Sequence, residues 1–265
     1  MRILMLGDVV GRPGRKAVRE LLPQLLKEHH PDLVVANGEN AAGGIGITKD
    51  SADELFSNGI DILTMGNHVW DKKEAFTLLE VEQRIIRPAN YPAGTIGRGF
   101  TIVKVRDKFD TEVKVGIINL AGRVFLAPLE CPFRLGRSLA EKIREETKII
   151  LVDFHAEATS EKAALGWYLD GWVSAVVGTH THIQTADARI LPSGTAYITD
   201  VGMTGPRDSV LGVKKELIIK KFLSQLPVRF EVASGLVQLE AVLLEIDNAS
   251  GRTLRMQRIQ KYQHV

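Results

Sequence analysis

Short apolar runs alternate along the chain with longer stretches of helical periodicity. Residues 2–6 (RILML) form the first β-prone run. Residues 13–30 then place Val18, Leu21, Leu22, Leu25 and Leu26 on one stripe, which predicts a helix that Pro13 can start and Pro23 would kink or split. Residues 32–36 (DLVVA) and 61–65 (DILTM) read as buried strands, with a helix near 48–58 between them and Asn58-Gly59 as its stop signal. A short helix is expected at 72–82. This rhythm of strand, helix and strand predicts right-handed βαβ crossovers and a largely parallel sheet.

The pattern changes in the middle. Residues 100–106 and 112–119 flank a charged DKFDT turn and predict an antiparallel pair. Helices are expected at 137–146 and at 160–170, the second with Ser160 as its N-cap. Buried strands are expected at 148–154 (KIILVDF) and 173–177 (VSAVV). A PSGT turn between 189–191 and 196–199 predicts a hairpin. Residues 202–209 (GMTGPRDS) read as a loop at the pocket or at an oligomer surface, ahead of a helix at 214–223. Strands at 235–246 and 253–260, joined by a turn at 248–251, follow. No linker, repeat or low-complexity segment interrupts residues 1–265, so one α/β domain with an antiparallel second half is expected.

Polar residues are not spread evenly over this pattern. Strand after predicted strand runs out into groups able to hold a metal. Asp8 follows the first, Asn37, Glu39 and Asn40 the second, and Asn67 and His68 the third; later strands lead to Asp153 and His155, and to His180 and His182. The carboxyl ends of parallel strands converge on one ligand site, so one class of ligand at five strand ends predicts a metal centre. Each residue alone has a plainer account. Asp8 could cap a turn, His155 could be a hydrogen-bonded core histidine, and Asn67 suits any turn. His180 and His182 are two residues apart, and strand alternation would turn both rings to one face. His29 and His30 sit at a helix end, and His264 is terminal.

Charge and composition narrow the partners. Lys and Arg number 34 against 32 Asp and Glu, a net charge of +2. That argues against an extended nucleic-acid partner but leaves room for a small phosphorylated substrate. The single cysteine, Cys131, allows neither an intramolecular disulfide nor a cysteine-rich metal site. No window approaches the ~18 apolar residues of a membrane span, and the apolar start stops at Gly7-Asp8 without a processing pattern. A cytoplasmic protein without membrane contact is expected. An Asp, a Glu, two Asn and three His suit manganese, iron or zinc better than copper(I).

GDVVG at 7–11, NGEN at 37–40, GNHVWD at 66–71, DFHAE at 153–157 and GTHTHIQTAD at 178–187 together resemble the calcineurin-like metallophosphoesterase superfamily. In their order they resemble its small bacterial branch, the YmdB-type cyclic-nucleotide phosphodiesterases. The resemblance implies a four-layer α/β/β/α sandwich with mixed sheets and two metal ions, iron first, with manganese or zinc as alternatives. It implies Asp8, Asn40 and His182 on one metal, Asn67, His155 and His180 on the other, and Glu39 as the bridge. His68 would be the catalytic acid outside the ligand set. Two departures from the broad superfamily agree with this branch. Val10 stands where the first motif usually carries histidine, with Asn40 supplying an oxygen instead, and Glu39 replaces the usual bridging aspartate.

Two ions about 3.5–4 Å apart would clamp a phosphate and activate a hydroxide. His68 would protonate the alkoxide leaving group of a small phosphodiester, expected to be a 2′,3′- or 3′,5′-cyclic nucleotide. Asp71 is a candidate to orient His68, or to cap the next helix. Arg12, Arg123 and Arg207 are candidate phosphate contacts, and Asn119 and Gly122 candidate pocket lining. The alternatives are a phosphomonoesterase with the same centre and a regulatory binding protein that keeps the metals without turnover. Oligomeric order is open, a homo-oligomer included.

Overall fold

The computed structural model describes residues 1–107 and 110–263, so His264 lies outside the described residues. The chain runs β1 (Arg2–Leu6), a two-residue β2 (Asp8–Val9), α1 (Gly11–His29), β3 (Leu33–Asn37), α2 (Lys49–Ser57), β4 (Ile62–Thr64), α3 (Glu74–Val81) and β5 (Ile85–Ile86). The antiparallel pair β6 (Phe100–Arg106) and β7 (Glu112–Ala121) follows, then α4 (Pro132–Arg144), β8 (Ile150–His155), α5 (Thr159–Tyr168) and β9 (Ala175–Thr179). Next come β10 (Arg189–Ile190), β11 (Ala196–Ile198), β12 (Met203–Pro206), α6 (Lys215–Ser224), β13 (Val237–Ile246) and β14 (Thr253–Tyr262).

These strands form two mixed sheets. In the first, β1, β3, β4 and β5 pair in parallel, while β13 lies antiparallel on the other side of β1 and carries β14 and β12; β2 pairs with β12. In the second, β11, β9, β8 and β7 are parallel, and β10 and β6 add antiparallel edges.

Strand alternation divides the apolar residues among three layers. Ile3 and Met5 of β1 pack with Val35, Ile62, Leu151, Val177 and Val242 between the sheets. Their neighbours Leu4 and Leu6 face Val18, Leu22, Leu25 and Leu55 of α1 and α2. On the far side, Ile118, Val152 and Phe154 meet Ala140, Ile143 and Leu165 of α4 and α5. Helices, sheet, sheet and helices make the expected four-layer sandwich. Among the described residues no helix is long and apolar enough to cross a membrane.

Several local expectations are corrected. Helix α1 runs unbroken through Pro23. Pro23 and Arg19 both lie on its exposed side, so water can solvate the carbonyl that the proline leaves without a donor. Helix α4 begins at Pro132, earlier than expected, because proline fits the first helical position where no N–H is needed. The N-cap of α5 is Ala158, and Ser160 lies within the first turn. Residues 203–206, expected in a surface loop, form the buried strand β12, parallel to β2 and antiparallel to β13. A single apolar residue per side, in MTGP, left no alternation to read.

Candidate metal centre

The parallel strands of both sheets end on the same side of the sandwich. Asp8 lies just past β1, Glu39 and Asn40 just past β3, and Asn67 and His68 past β4. From the second sheet, β8 ends at His155, and His180 and His182 follow β9. The residues expected to converge are therefore brought together from five strand ends.

Glu39, His155 and His180 place ligand atoms within 4.8 Å of one another. His155 Nε2 lies 2.9 Å from Glu39 Oε1, 3.0 Å from Asn67 Oδ1 and 2.9 Å from His180 Nδ1. Spacings of about 3 Å are those of neighbouring ligands on one ion with bonds of ~2.1 Å. A second group adjoins it. His182 Nε2 is 3.7 Å from Asp8 Oδ1 and 3.3 Å from Asn40 Nδ2, which is 3.3 Å from Glu39 Oε1. Glu39 thus touches both groups. Asn40 turns its Nδ2 donor inward, and a half-turn of its amide would present Oδ1 instead.

The three imidazoles are each held by one nitrogen and open at the other. His182 Nδ1 donates to the Leu211 carbonyl at 3.0 Å, leaving Nε2 toward Asp8. His180 Nε2 faces the Glu157 carboxylate at 3.0 Å, leaving Nδ1 inward. The Thr179 hydroxyl donates to Asp153 Oδ1 at 2.7 Å and therefore accepts from His155 Nδ1 at 3.0 Å, leaving Nε2 inward. Orientation of this kind is what a metal-binding imidazole requires. Two further features fit a cation. Asp8 Oδ1 is buried without a hydrogen-bond donor. A Cβ on Gly66 would lie 2.3 Å from Glu39 Oε2 and 2.4 Å from His155 Nε2, so glycine keeps the cradle open.

Burial and charge compete across the cluster. Burial opposes a charge on Asp8, but the His182 and His155 rings hold its carboxyl well below the usual range. Burial likewise opposes ionisation of Glu39, and His155 outweighs it. His155 is pushed up to about 9 because Glu39 and Asp8 overcome the cost of burying its charge. His180 is pushed down to about 4 by burial and by the charge on His155. The two buried carboxylates are thus balanced by the His155 and His182 imidazoles, both of which they push up, a balance that a bound cation would take over.

His180 and His182 do converge, but not by strand alternation. β9 ends at Thr179, and both histidines have left-handed backbones, with φ of 100° and 63°. Such conformations in non-glycine residues cost energy and persist where surrounding bonds enforce them. The enforcing groups here are Asp8, which accepts from His180 N–H at 3.1 Å, and Asp200, which accepts from Thr181 N–H at 3.0 Å.

Asp200 and Lys162 are site residues that sequence reasoning missed. Lys162 Nζ bonds Asp200 Oδ2 at 2.8 Å, with side chains only 1% and 0% exposed. The available signal was a lysine three residues before Leu165, on the buried face of α5. Replacing Lys162 by methionine is expected to cost roughly 3–5 kcal/mol in denaturant unfolding, because it strands a buried carboxylate. A loss under ~1 kcal/mol would show that water reaches Asp200. Thr64 and Asn119 were missed as well, at least in their role. Asp153, buried and pushed up to about 6, accepts from Thr64, Thr179 and Asn37, while Asn119 Oδ1 accepts from Met65 N–H at 3.0 Å. These bonds tie the two sheets together beneath the cluster, and Asn119 is buried there, away from the cleft.

His68 lies at the rim. Its N–H donates to Glu39 Oε2 at 2.9 Å, and its Nδ1 faces Asp71 Oδ2 at 2.6 Å. Asp71 does not cap the next helix, whose N-cap is Lys73. His68, His180, His182, Glu39 and Asn40 open into a cleft of about 470 Å³. Arg12, Arg123 and Arg207 are not among its lining residues, and Arg207 stacks over Tyr262 with 4.6 Å to the ring centroid.

Known proteins share this architecture. A family model described as YmdB-like protein matches residues 4–259. A 2′,3′-cyclic-nucleotide 2′-phosphodiesterase of Bacillus subtilis (strain 168) is 52% identical over 259 residues, covering 98% of this chain and 96% of its own. The crystal structure of a hypothetical protein from Thermus thermophilus superposes with a TM-score of 0.92 at 43% identity, with both chains covered in full. That of a protein described as a novel phosphatase, from Mycoplasma pneumoniae, also gives 0.92, at 34% identity over 99% of this chain and 93% of its own.

Proposed function

Because the chain belongs to the YmdB-like family of calcineurin-like metallophosphoesterases, we propose that it is a metal-dependent phosphodiesterase acting on small phosphodiesters, cyclic nucleotides foremost. The observation that carries this reading is the set of three imidazoles, each tied outward by one nitrogen and turned by the other toward Glu39 or Asp8. Asn67, His155 and His180 would hold one ion, and Asp8, Asn40 and His182 a second, with Glu39 between them. Iron is the first expectation, manganese or zinc the alternatives. Bound metals would supply positive charge for the phosphate oxygens and an acidified water.

The chain's own residues would do the rest. With Nδ1 held by Asp71, His68 can direct Nε2 into the cleft and give its proton to the leaving oxygen. Its backbone bond to Glu39 fixes it beside the ligands without making it one. The Asp153–Thr179–His155 chain holds the His155 ring, and Asp200 holds the turn that carries His180 and His182. A cytoplasmic location is proposed with it. Phe222 and Leu223, exposed on α6, favour the homo-oligomer that the sequence leaves open.

The test is a product-resolved assay on a nucleoside 2′,3′-cyclic phosphate, a 3′,5′-cyclic nucleotide and a nucleoside monophosphate. Release of a monophosphate from a cyclic diester, with little inorganic phosphate from the monoester, is expected. Release of phosphate from the monoester alone would make the protein a phosphomonoesterase.

A further inference from the structure

The cleft that holds the ligand cluster has a second wall, built of Ile45, Leu211, Val213, Phe230 and Val232. This wall is apolar yet open to solvent. Phe230 is 45% exposed, Leu211 44% and Ile45 39%. It is also held in place. Val213 bridges to Val232, Lys214 N–H donates to the Glu231 carbonyl at 3.0 Å, and Ala233 N–H donates to the Gly212 carbonyl at 2.9 Å. The segment carrying Phe230 rests on the turn at Gly44, where a Cβ would lie 2.5 Å from Val232 Cγ2.

The same wall is tied to the cluster, since the Leu211 carbonyl accepts from His182 Nδ1. Leu211 has φ of 53°. A leucine held in a left-handed backbone is unfavourable, and such conformations gather at functional sites.

Resting on the phosphodiesterase reading, we propose that this wall is the nucleobase platform, with the base stacked on Phe230 and flanked by Leu211 and Ile45 while the phosphate sits at the ligand cluster. A cleft of about 470 Å³ is of ligand-pocket size. The side chains of the wall offer no hydrogen-bond donor or acceptor, and Glu231, which shares the cleft lining, is paired with Lys214 at 2.6 Å, so the wall meets the face of a base and does not read its edge. Specificity follows from that. All four common bases are accepted, and purines, with the larger stacking face, bind more tightly.

The test compares adenosine 2′,3′-cyclic phosphate with glycerol 1,2-cyclic phosphate, which keeps the five-membered phosphodiester and lacks the base. The parent enzyme is expected to show the lower KM for the nucleotide. Phe230→Ala should raise that KM roughly 5–150-fold, the range that base–aromatic stacking supplies, with kcat near the parent's. Its kinetics on glycerol 1,2-cyclic phosphate should be unchanged, and Phe230→Tyr should keep the parent's KM for the nucleotide. Saturation-transfer NMR with adenosine 3′-monophosphate gives a readout apart from turnover: base-proton signals are expected with the parent and should weaken with Phe230→Ala. An unchanged KM for the nucleotide in Phe230→Ala, or an equal loss on both substrates, overturns the platform. A parent that turns over both substrates with equal KM does so too, leaving the phosphodiesterase reading standing. A metal-loaded parent inert on both overturns that reading, and the NMR signals then decide the platform by themselves.

Discussion

Glu39→Gln is expected to lose metal and turnover together. Glu39 Oε1 lies 2.9 Å from His155 Nε2 and 3.3 Å from Asn40, while Oε2 accepts from the His68 N–H. One carboxylate therefore contacts both groups of candidate ligands. The amide that replaces it carries no charge and turns a donor toward partners that need an acceptor. Changes to residues that only orient ligands typically cost roughly 10–100-fold in metal affinity, and the loss of a shared ligand should exceed that. Metal content by mass spectrometry, with circular dichroism to confirm the folded fraction, measures it. Unchanged stoichiometry, affinity and turnover would remove Glu39 from the centre.

His68→Ala should behave in the opposite way, keeping metal and losing chemistry. His68 touches Glu39 through its backbone, so its side chain can go while the cluster's bonds stay. The expected fall in turnover of an unactivated diester is roughly 10²–10⁴-fold, the usual worth of a positioned acid. A diester with a good leaving group needs less protonation and should suffer less. His155→Ala and His180→Ala, by contrast, should impair metal retention as well. If His68→Ala empties the centre, His68 is a ligand; if both diesters react at the parent rate, it has neither role. Equal losses on both diesters would assign it to holding the phosphate.

Much of this was legible in the sequence, for identifiable reasons. Buried parallel strands such as LVVA and IILV announce themselves because both faces are apolar. The candidate ligand residues were legible because each lies at or just past the end of such a strand. What escaped notice depends on contacts between distant segments. Met203–Pro206 became a strand through its partners Val9 and Val237, not through any propensity of its own. Lys162 and Asp200 are 38 residues apart, and only the packing of α5 on the second sheet makes them a pair. The convergence of His180 and His182 was expected for the wrong reason. Their rings reach adjoining parts of one cluster because Asp8 and Asp200 hold the turn that carries these two left-handed residues, which no residue spacing reveals. The apolar wall around Phe230 was invisible for a similar cause, since it joins residues 211–213 to 230–232 across a helix.

The central claim is that hydrolysis depends on metal held by this cluster. It is tested most directly by measuring turnover of adenosine 2′,3′-cyclic phosphate against metal content, as a folded sample is depleted by chelation and then reloaded with iron, manganese or zinc. Turnover should fall in step with metal, reach background in the depleted protein, and return on reloading. Full turnover by folded protein from which all metal has been removed would contradict the account.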